Sequence, residues 1–206
     1  GHIKSGAKKV VITCGSPDAP MFVKGINEEK YNHHTDHIIS SATCSSVALA
    51  PIVKVINDNF GITEGIMTSV HAVTGTQNLV DGNRNLDWRR GRSAFQNIVP
   101  ATTGAPNAVS TLLPEIQGRL AGVEFRVPTA NVSVATLACR LERPASYDCI
   151  VDTLKRASNS DRFKDILGCT DEPVVSSDFL GDSRSCIFDS TAGTALNSNF
   201  VELTAW

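Results

Sequence analysis

Runs of β-branched and apolar residues dominate this sequence. They constrain its fold more strongly than its helical periodicity does. Residues 63–73, 120–127 and 131–141 have the composition of strands, and the last run alternates strongly between apolar and polar positions. Further strands are predicted at residues 9–14, 174–179, 185–188 and 199–206. Because these runs are not simply interleaved with helices, we predict an α+β fold around a mixed sheet.

Helical signals are confined to three segments. The first begins near Cys44 and carries apolar residues at helical spacing as far as Asn59 and Gly61. Pro51 lies inside it, so we expect a kink or a delayed first turn. A second helix should follow residues 102–104, with Pro106 in its first turn, and residues 147–157 form an amphipathic third.

The overall composition excludes several classes of protein. Lysine and arginine number 19 against 21 acidic residues, so no broad nucleic-acid or membrane-binding surface is predicted. No apolar run approaches the roughly 20 residues that span a bilayer. None of the six cysteines forms a C-x-x-C pair and no secretory signal is recognised, so we expect free thiols in a reducing compartment.

Cys44 is the residue with the clearest chemical potential. A helix N-terminus stabilises a thiolate, and its free N–H groups can receive an oxyanion or a phosphate oxygen. His71, at the end of the next predicted strand, could serve Cys44 as a general base. From spacing alone an inert core cysteine stays the alternative. The long polar segment 75–91 is of a length that is usually functional.

Several ordered motifs resemble those of one enzyme family. They are T-C-S-S-V-A-L-A-P at residues 43–51, S-V-H-A-V-T-G-T-Q at 69–77, W-R-R-G-R at 88–92, Q-N-I-V-P at 96–100, T-T-G-A at 102–105, F-R-V-P-T at 125–129 and V-S-V at 132–134. In this order they resemble the catalytic domain of glyceraldehyde-3-phosphate dehydrogenase. The resemblance covers essentially residues 1–206 and implies a largely antiparallel sheet with helices packed on one face.

The resemblance also implies a reaction and its residues. Cys44 would attack the aldehyde of glyceraldehyde 3-phosphate, His71 would accept the hydroxyl proton, and hydride transfer to NAD would leave a thioester. Inorganic phosphate would then release 1,3-bisphosphoglycerate. The implied sites are the substrate-phosphate site, formed by Thr74 and Arg126 with Arg89 or Arg92, and the inorganic-phosphate site, formed by Thr43, Ser45, Thr103 and Gly104.

The same resemblance implies a larger protein. No G-x-G-x-x-G sequence stands between a strand and a helix, so residues 1–206 carry no recognisable dinucleotide-binding half. We therefore expect most cofactor-binding residues, together with the family's closing helix, to lie outside this chain. A cytoplasmic homotetramer is the implied setting of the full-length enzyme.

Two other functions remain open at this stage. Val47 and Asn78 depart from the family's motifs, which leaves room for a non-catalytic interaction protein that keeps the fold. A thiol acyl-transferase or esterase could use Cys44 and His71 without hydride transfer. Residues 33–37 are rich in histidine but lie in a polar stretch that fixes no fourth ligand, so no metal site is predicted.

Overall fold

A computed structural model describes residues 1–83 and 87–206 of the chain. Over these residues the chain forms nine strands, β1 (Val10–Ile12), β2 (Ile38–Ser40), β3 (Ile62–His71), β4 (Val99–Ala101), β5 (Leu120–Arg126), β6 (Val134–Leu141), β7 (Leu167–Thr170), β8 (Cys186–Asn197) and β9 (Phe200–Ala205). The α-helices are α1 (Cys44–Phe60), α2 (Ala105–Leu112) and α3 (Tyr147–Ser158). Short 3-10 helices lie at His2–Ser5, Glu28–Lys30, Pro114–Ile116 and Ser176–Phe179.

Seven of the strands form one mixed sheet in the order β4-β5-β3-β6-β9-β8-β7. The pairs β3–β5 and β7–β8 are parallel, whereas β4–β5, β3–β6, β6–β9 and β8–β9 are antiparallel. This arrangement confirms the α+β fold with a mixed, largely antiparallel sheet.

One face of this sheet is buried beneath the helices. Met67, Leu137 and Leu203 lie in register across β3, β6 and β9 and belong to the same apolar core as residues of all three α-helices. On the opposite face Ile66 and Val123 are 54% and 46% exposed. The alternation predicted for residues 131–141 therefore reflects a strand with one covered and one open face.

Helix α1 begins at Cys44 because its first turn is capped. The Thr43 hydroxyl accepts a hydrogen bond from the backbone N–H of Ser46, and the Ser46 hydroxyl accepts one from the N–H of Thr43. The helix then continues without a break through Pro51 to Phe60. The predicted delay of the first turn is wrong, since the cap fixes the helix start well before the proline.

A single glycine connects α1 to β3. Gly61 has φ +71°, and a Cβ atom at this position would lie 2.9 Å from Cβ of Glu142. Its carbonyl accepts a hydrogen bond from the N–H of Glu142, the residue that follows β6. The position therefore requires glycine, both for its backbone angle and for the close approach of the neighbouring chain.

The prediction was wrong or incomplete near the edges of the sheet. Residues 174–179 include a 3-10 helix instead of a strand, because the Asp178 carboxylate accepts the N–H of Val175 and folds the segment into a turn. The strand predicted at 185–188 continues as β8 to Asn197. Strands β4 and β7 were missed because they are short and contain Pro100 and Gly168.

The remaining two strands, β1 and β2, form a separate parallel sheet. Its apolar side chains are partly open to solvent, with Val11 56% and Ile38 45% exposed. Within residues 1–83 and 87–206, none of the helices has the combination of length and apolar character that a membrane span requires.

We expect Leu137→Ala to lower the free energy of unfolding by about 3 kcal/mol, because it leaves a cavity in the middle of the core. Ile66→Ala, on the open face of the neighbouring strand, should cost less than about 1 kcal/mol. Urea denaturation of both variants measures the difference. Equal losses would contradict the assignment of a covered and an open face.

Candidate active site

The turn at Gly61 brings the start of α1 to the end of β3. The helix runs along the sheet in one direction and the strand returns in the other, so Cys44 and His71 line one cavity despite their separation in sequence. We call this space the thiol cavity; it has a volume of about 430 Å³ and is also lined by Ser45, Thr74, Arg126 and Ser133.

Ser45 lies between the cysteine and the histidine. Its hydroxyl oxygen is 3.0 Å from Nε2 of His71 and 4.0 Å from Sγ of Cys44. Cys44 is exposed, whereas Ser45 and His71 are buried. The structure therefore joins the predicted nucleophile and base through a hydroxyl, and Ser45 contacts the histidine directly.

His71 is held at both ring nitrogens. Nδ1 lies 2.6 Å from the hydroxyl oxygen of Ser133, which fixes the orientation of the ring. Burial lowers the pKa of His71 below its usual 6.5, an effect that nearby Glu124 opposes and Arg126 reinforces. A histidine with a lowered pKa is neutral at pH 7 and can accept a proton there.

The other cysteines differ from Cys44 in their surroundings. Cys139 and Cys186 are buried, which raises the pKa of the Cys139 thiol to about 12 and that of Cys186 further still. Partial burial also raises the pKa of Cys169. Buried thiols with raised pKa values are poor nucleophiles. Cys44 combines exposure, a helix start and a nearby histidine.

A second cavity adjoins the first and has a volume of about 160 Å³. It shares Thr74 and Arg126 with the thiol cavity and is completed by Gln77, Arg89, Arg90 and Glu124, among others. We call it the arginine pocket. Arg126 enters it because the parallel pairing of β3 with β5 sets this residue directly beside His71.

The arginine pocket holds an unsatisfied hydrogen-bond donor. Oε1 of Gln77 accepts the backbone N–H of Thr74, which orients the amide, and Nε2 of Gln77 has no partner in the described part of the chain. Gln77 is only 7% exposed. A buried donor without a partner is costly, so this amide is a polar group that the surrounding residues leave unsatisfied.

The structure brings together only part of the predicted phosphate-binding set. Arg89 lines the arginine pocket, but Arg92 points elsewhere and pairs with Asp81 at 3.1 Å. The Thr43 hydroxyl is engaged in the helix cap. Thr103 and Gly104 precede and cap α2, and neither lines the thiol cavity or the arginine pocket.

Sequence reasoning missed Ser133, Glu124 and Gln77 as members of this site. Ser133 is marked in the structure by its neighbour. The preceding residue, Val132, has φ +68°, a strained value for a β-branched residue, and such strain often lies at functional sites. Glu124 and Gln77 carry no comparable signal. Of the predicted polar segment 75–91, residues 84–86 lie outside the described residues.

In the described ranges, no group of three or more histidine, cysteine or acidic side chains is placed to hold a metal ion. His33 and His34 pack against each other, with ring centroids 3.6 Å apart.

Comparison with known proteins identifies the family of this fold. The family model described as glyceraldehyde 3-phosphate dehydrogenase, C-terminal domain, matches residues 43–206. Glyceraldehyde-3-phosphate dehydrogenase 1 of Globodera rostochiensis is 57% identical over 205 residues, covering 100% of this chain and 63% of that protein.

Relatives from two other organisms give the same result. Glyceraldehyde-3-phosphate dehydrogenase 2 of Danio rerio is 55% identical over all of this chain and 61% of its own length. A chloroplastic glyceraldehyde-3-phosphate dehydrogenase of Arabidopsis thaliana is also 55% identical, over all of this chain and 48% of its own length. The chain thus spans between 48% and 63% of the length of these relatives. With its fold and family match, it belongs to the glyceraldehyde-3-phosphate dehydrogenase family and contains that family's C-terminal domain.

Proposed function

We propose that this chain is the catalytic domain of an NAD-dependent, phosphorylating glyceraldehyde-3-phosphate dehydrogenase of glycolysis. The observation that carries the proposal is the position of Cys44, at the capped start of α1 and joined through Ser45 to the buried His71. An exposed thiol linked to a neutral histidine is suited to nucleophilic attack on an aldehyde.

The chain's own residues account for the covalent steps. Cys44 attacks the aldehyde carbon to form a hemithioacetal, and His71, hydrogen bonded to Ser45, accepts the hydroxyl proton of the hemithioacetal as the hydride leaves. When bound, NAD supplies the acceptor for the hydride. Inorganic phosphate attacks the resulting thioester on Cys44 and releases 1,3-bisphosphoglycerate.

The arginine pocket is suited to the phosphate group of the substrate. Arg126 and Arg89 supply positive charge, and the Thr74 hydroxyl can donate a hydrogen bond. For inorganic phosphate, the predicted set of Thr43, Ser45, Thr103 and Gly104 remains a proposal. Of these four, Ser45 is the one that lines the thiol cavity.

The thiol cavity also has room for the nicotinamide end of the cofactor. Phe179, Val132 and Trp206 give part of its wall an apolar character that fits an aromatic ring. The phosphate-binding turn of a dinucleotide fold is absent from the sequence. We propose that the remainder of NAD is held by residues outside this chain. The half-exposed parallel sheet of β1 and β2 supports this, because parallel sheets are normally covered on both faces.

We extend the proposal to a homotetrameric, cytoplasmic full-length enzyme without membrane or nucleic-acid partners. Exposed apolar side chains in the segment that follows β3, and on the open face of the sheet, support assembly with further copies. They are Leu79, Val80, Trp88, Phe95, Ile98, Ile66 and Val123. The chloroplastic relative shows that the family also includes a protein named for another compartment.

Iodoacetamide at neutral pH should alkylate Cys44 faster than any other cysteine, as measured by mass spectrometry of peptides. Cys149 is the internal control, because it is exposed and lies in the capped first turn of α3 but is not part of a histidine pair. We expect Cys44 to react at least about tenfold faster than Cys149.

His71→Gln should remove most of this advantage while leaving Cys149 unchanged. Equal reactivity of Cys44 and Cys149 in the unmodified chain would favour a non-catalytic protein. If Cys44 reacts fast but the full-length enzyme forms no NADH from aldehyde, a thiol acyl-transferase or esterase becomes the better interpretation.

NAD should raise the melting temperature of the 206-residue chain by less than about 1 °C at millimolar concentration, because most of its binding surface lies elsewhere. Thermal-shift titration tests this, with inorganic phosphate as a ligand of the chain's own pocket for comparison. A saturable increase of several degrees with NAD would contradict the proposed division of the cofactor site.

The lowered pKa of His71 predicts acid sensitivity of the fold. Between the folded-state pKa and 6.5, the unfolded chain binds a proton at this residue more readily than the folded chain does. The contribution of His71 to stability is therefore complete above about pH 6.5 and is lost as the pH falls through the folded-state value. Urea unfolding from pH 7.5 to 5 should show a smaller loss for His71→Gln than for the unmodified chain.

A further inference from the structure

The arginine pocket contains a carboxylate that phosphate binding does not explain. Glu124, on β5, is buried, and its Oε1 lies 2.6 Å from Nη2 of Arg126. The guanidinium that would bind the substrate's phosphate is therefore already paired. Because the pair is largely shielded from water, the carboxylate repels an incoming anion more strongly than a surface residue would.

The same carboxylate reaches the catalytic histidine. Oε2 of Glu124 lies 3.8 Å from Nε2 of His71, the nitrogen that is hydrogen bonded to Ser45. Glu124 thus pairs with Arg126 through one oxygen and lies beside His71 with the other. If Arg126 leaves the carboxylate of Glu124, the negative charge of Glu124 is no longer neutralised and acts more strongly on His71.

Among residues 1–83 and 87–206, few charged groups compete with Glu124 around His71. On the neighbouring strand β5, the charged residues facing it are Glu124 and Arg126. From α1 it is approached by Cys44 through Ser45. Across the thiol cavity, Asp182 and Arg184 pair with each other at 2.6 Å, so their charges largely cancel. Glu124 is therefore the group that offsets the positive charge of Arg126 at the histidine.

We propose that Glu124 is a specificity-determining and positioning residue that competes with the substrate's phosphate for Arg126 and keeps His71 basic. While the pocket is empty, Glu124 neutralises Arg126. When a phosphate group takes the guanidinium, the carboxylate is released toward His71 and strengthens it as a proton acceptor. This inference rests on the proposed function, since it assigns the arginine pocket to a phosphate group.

The test compares Glu124→Gln with the unmodified 206-residue chain in two measurements. Titration calorimetry with inorganic phosphate at pH 7.5 should give a Kd that is roughly three- to tenfold lower in the variant, because the competing charge is gone. The midpoint of the His71 ring signals in an NMR pH titration should fall, because Arg126 is no longer offset.

Glu64→Gln is the matched control. Glu64 lies on β3 and pairs with Arg140 at 2.9 Å, but this pair is exposed on the other side of the sheet from His71. The same loss of charge there should leave both measurements unchanged. Glu124→Asp, which withdraws the carboxylate by one methylene, should shift both quantities in the same direction by a smaller amount. If circular dichroism shows that Glu124→Gln does not fold, the Glu124→Asp variant serves as the test of the proposal.

An unchanged or weaker phosphate affinity in Glu124→Gln, with phosphate still bound by both proteins, overturns this inference alone. Absence of phosphate binding in both proteins overturns it together with the phosphate assignment of the pocket. Binding that arises only in the variant supports it, since the carboxylate then excludes the anion. An unchanged His71 midpoint removes the positioning role. Selective alkylation of Cys44 reports on the proposed covalent chemistry independently of all these outcomes.

Discussion

The parallel pairing of β3 with β5 is the constraint on which the rest of the candidate site depends. In its register His71 lies beside Arg126, and Ser69 lies beside Glu124, on the face that the helices cover. A slip of one residue would turn these side chains toward the open face. Because β3 follows α1 after one glycine, the same pairing also fixes where Cys44 can lie. Sheet register thus couples the nucleophile, the base and the cationic pocket.

Burial gives the few polar groups in this region an influence that they would lack at the surface. Desolvation lowers the pKa of His71, while Glu124 and Arg126 act on it in opposite directions. The charge state of the histidine therefore depends on its burial, on the Glu124 carboxylate 3.8 Å from Nε2, and on the Arg126 guanidinium that pairs with this carboxylate. The exposed pair between Arg140 and Glu64 has the same chemistry, but water screens it. The burial of an ion pair, more than the types of its residues, therefore decides whether the pair affects the chemistry of its neighbours.

The elements that could be predicted are those with long and regular patterns. Helices α1 and α3 and strands β3, β5 and β6 lie where periodicity placed them, because each carries enough apolar residues to define a buried face. Strands β4 and β7 contain three and four residues, too few for any pattern, and exist because a neighbouring strand offers hydrogen bonds. Residues 174–179 have strand-type composition, yet one carboxylate folds their second half into a 3-10 turn.

For the site, the sequence alone determined what is local in the chain. It placed Cys44 at a helix start, His71 at a strand end and Arg126 within an apolar strand, since caps, periodicity and interruptions of an apolar run are visible in neighbouring residues. Only the tertiary structure decided the partners of these residues. Ser45 and Ser133 hold His71, and Glu124 pairs with Arg126. The pairing of Glu124 with Arg126 is local to β5. The contacts of His71 follow from the sheet register and from the packing of α1 along the sheet. They join residues that are far apart in the sequence, so no local sequence pattern reveals them.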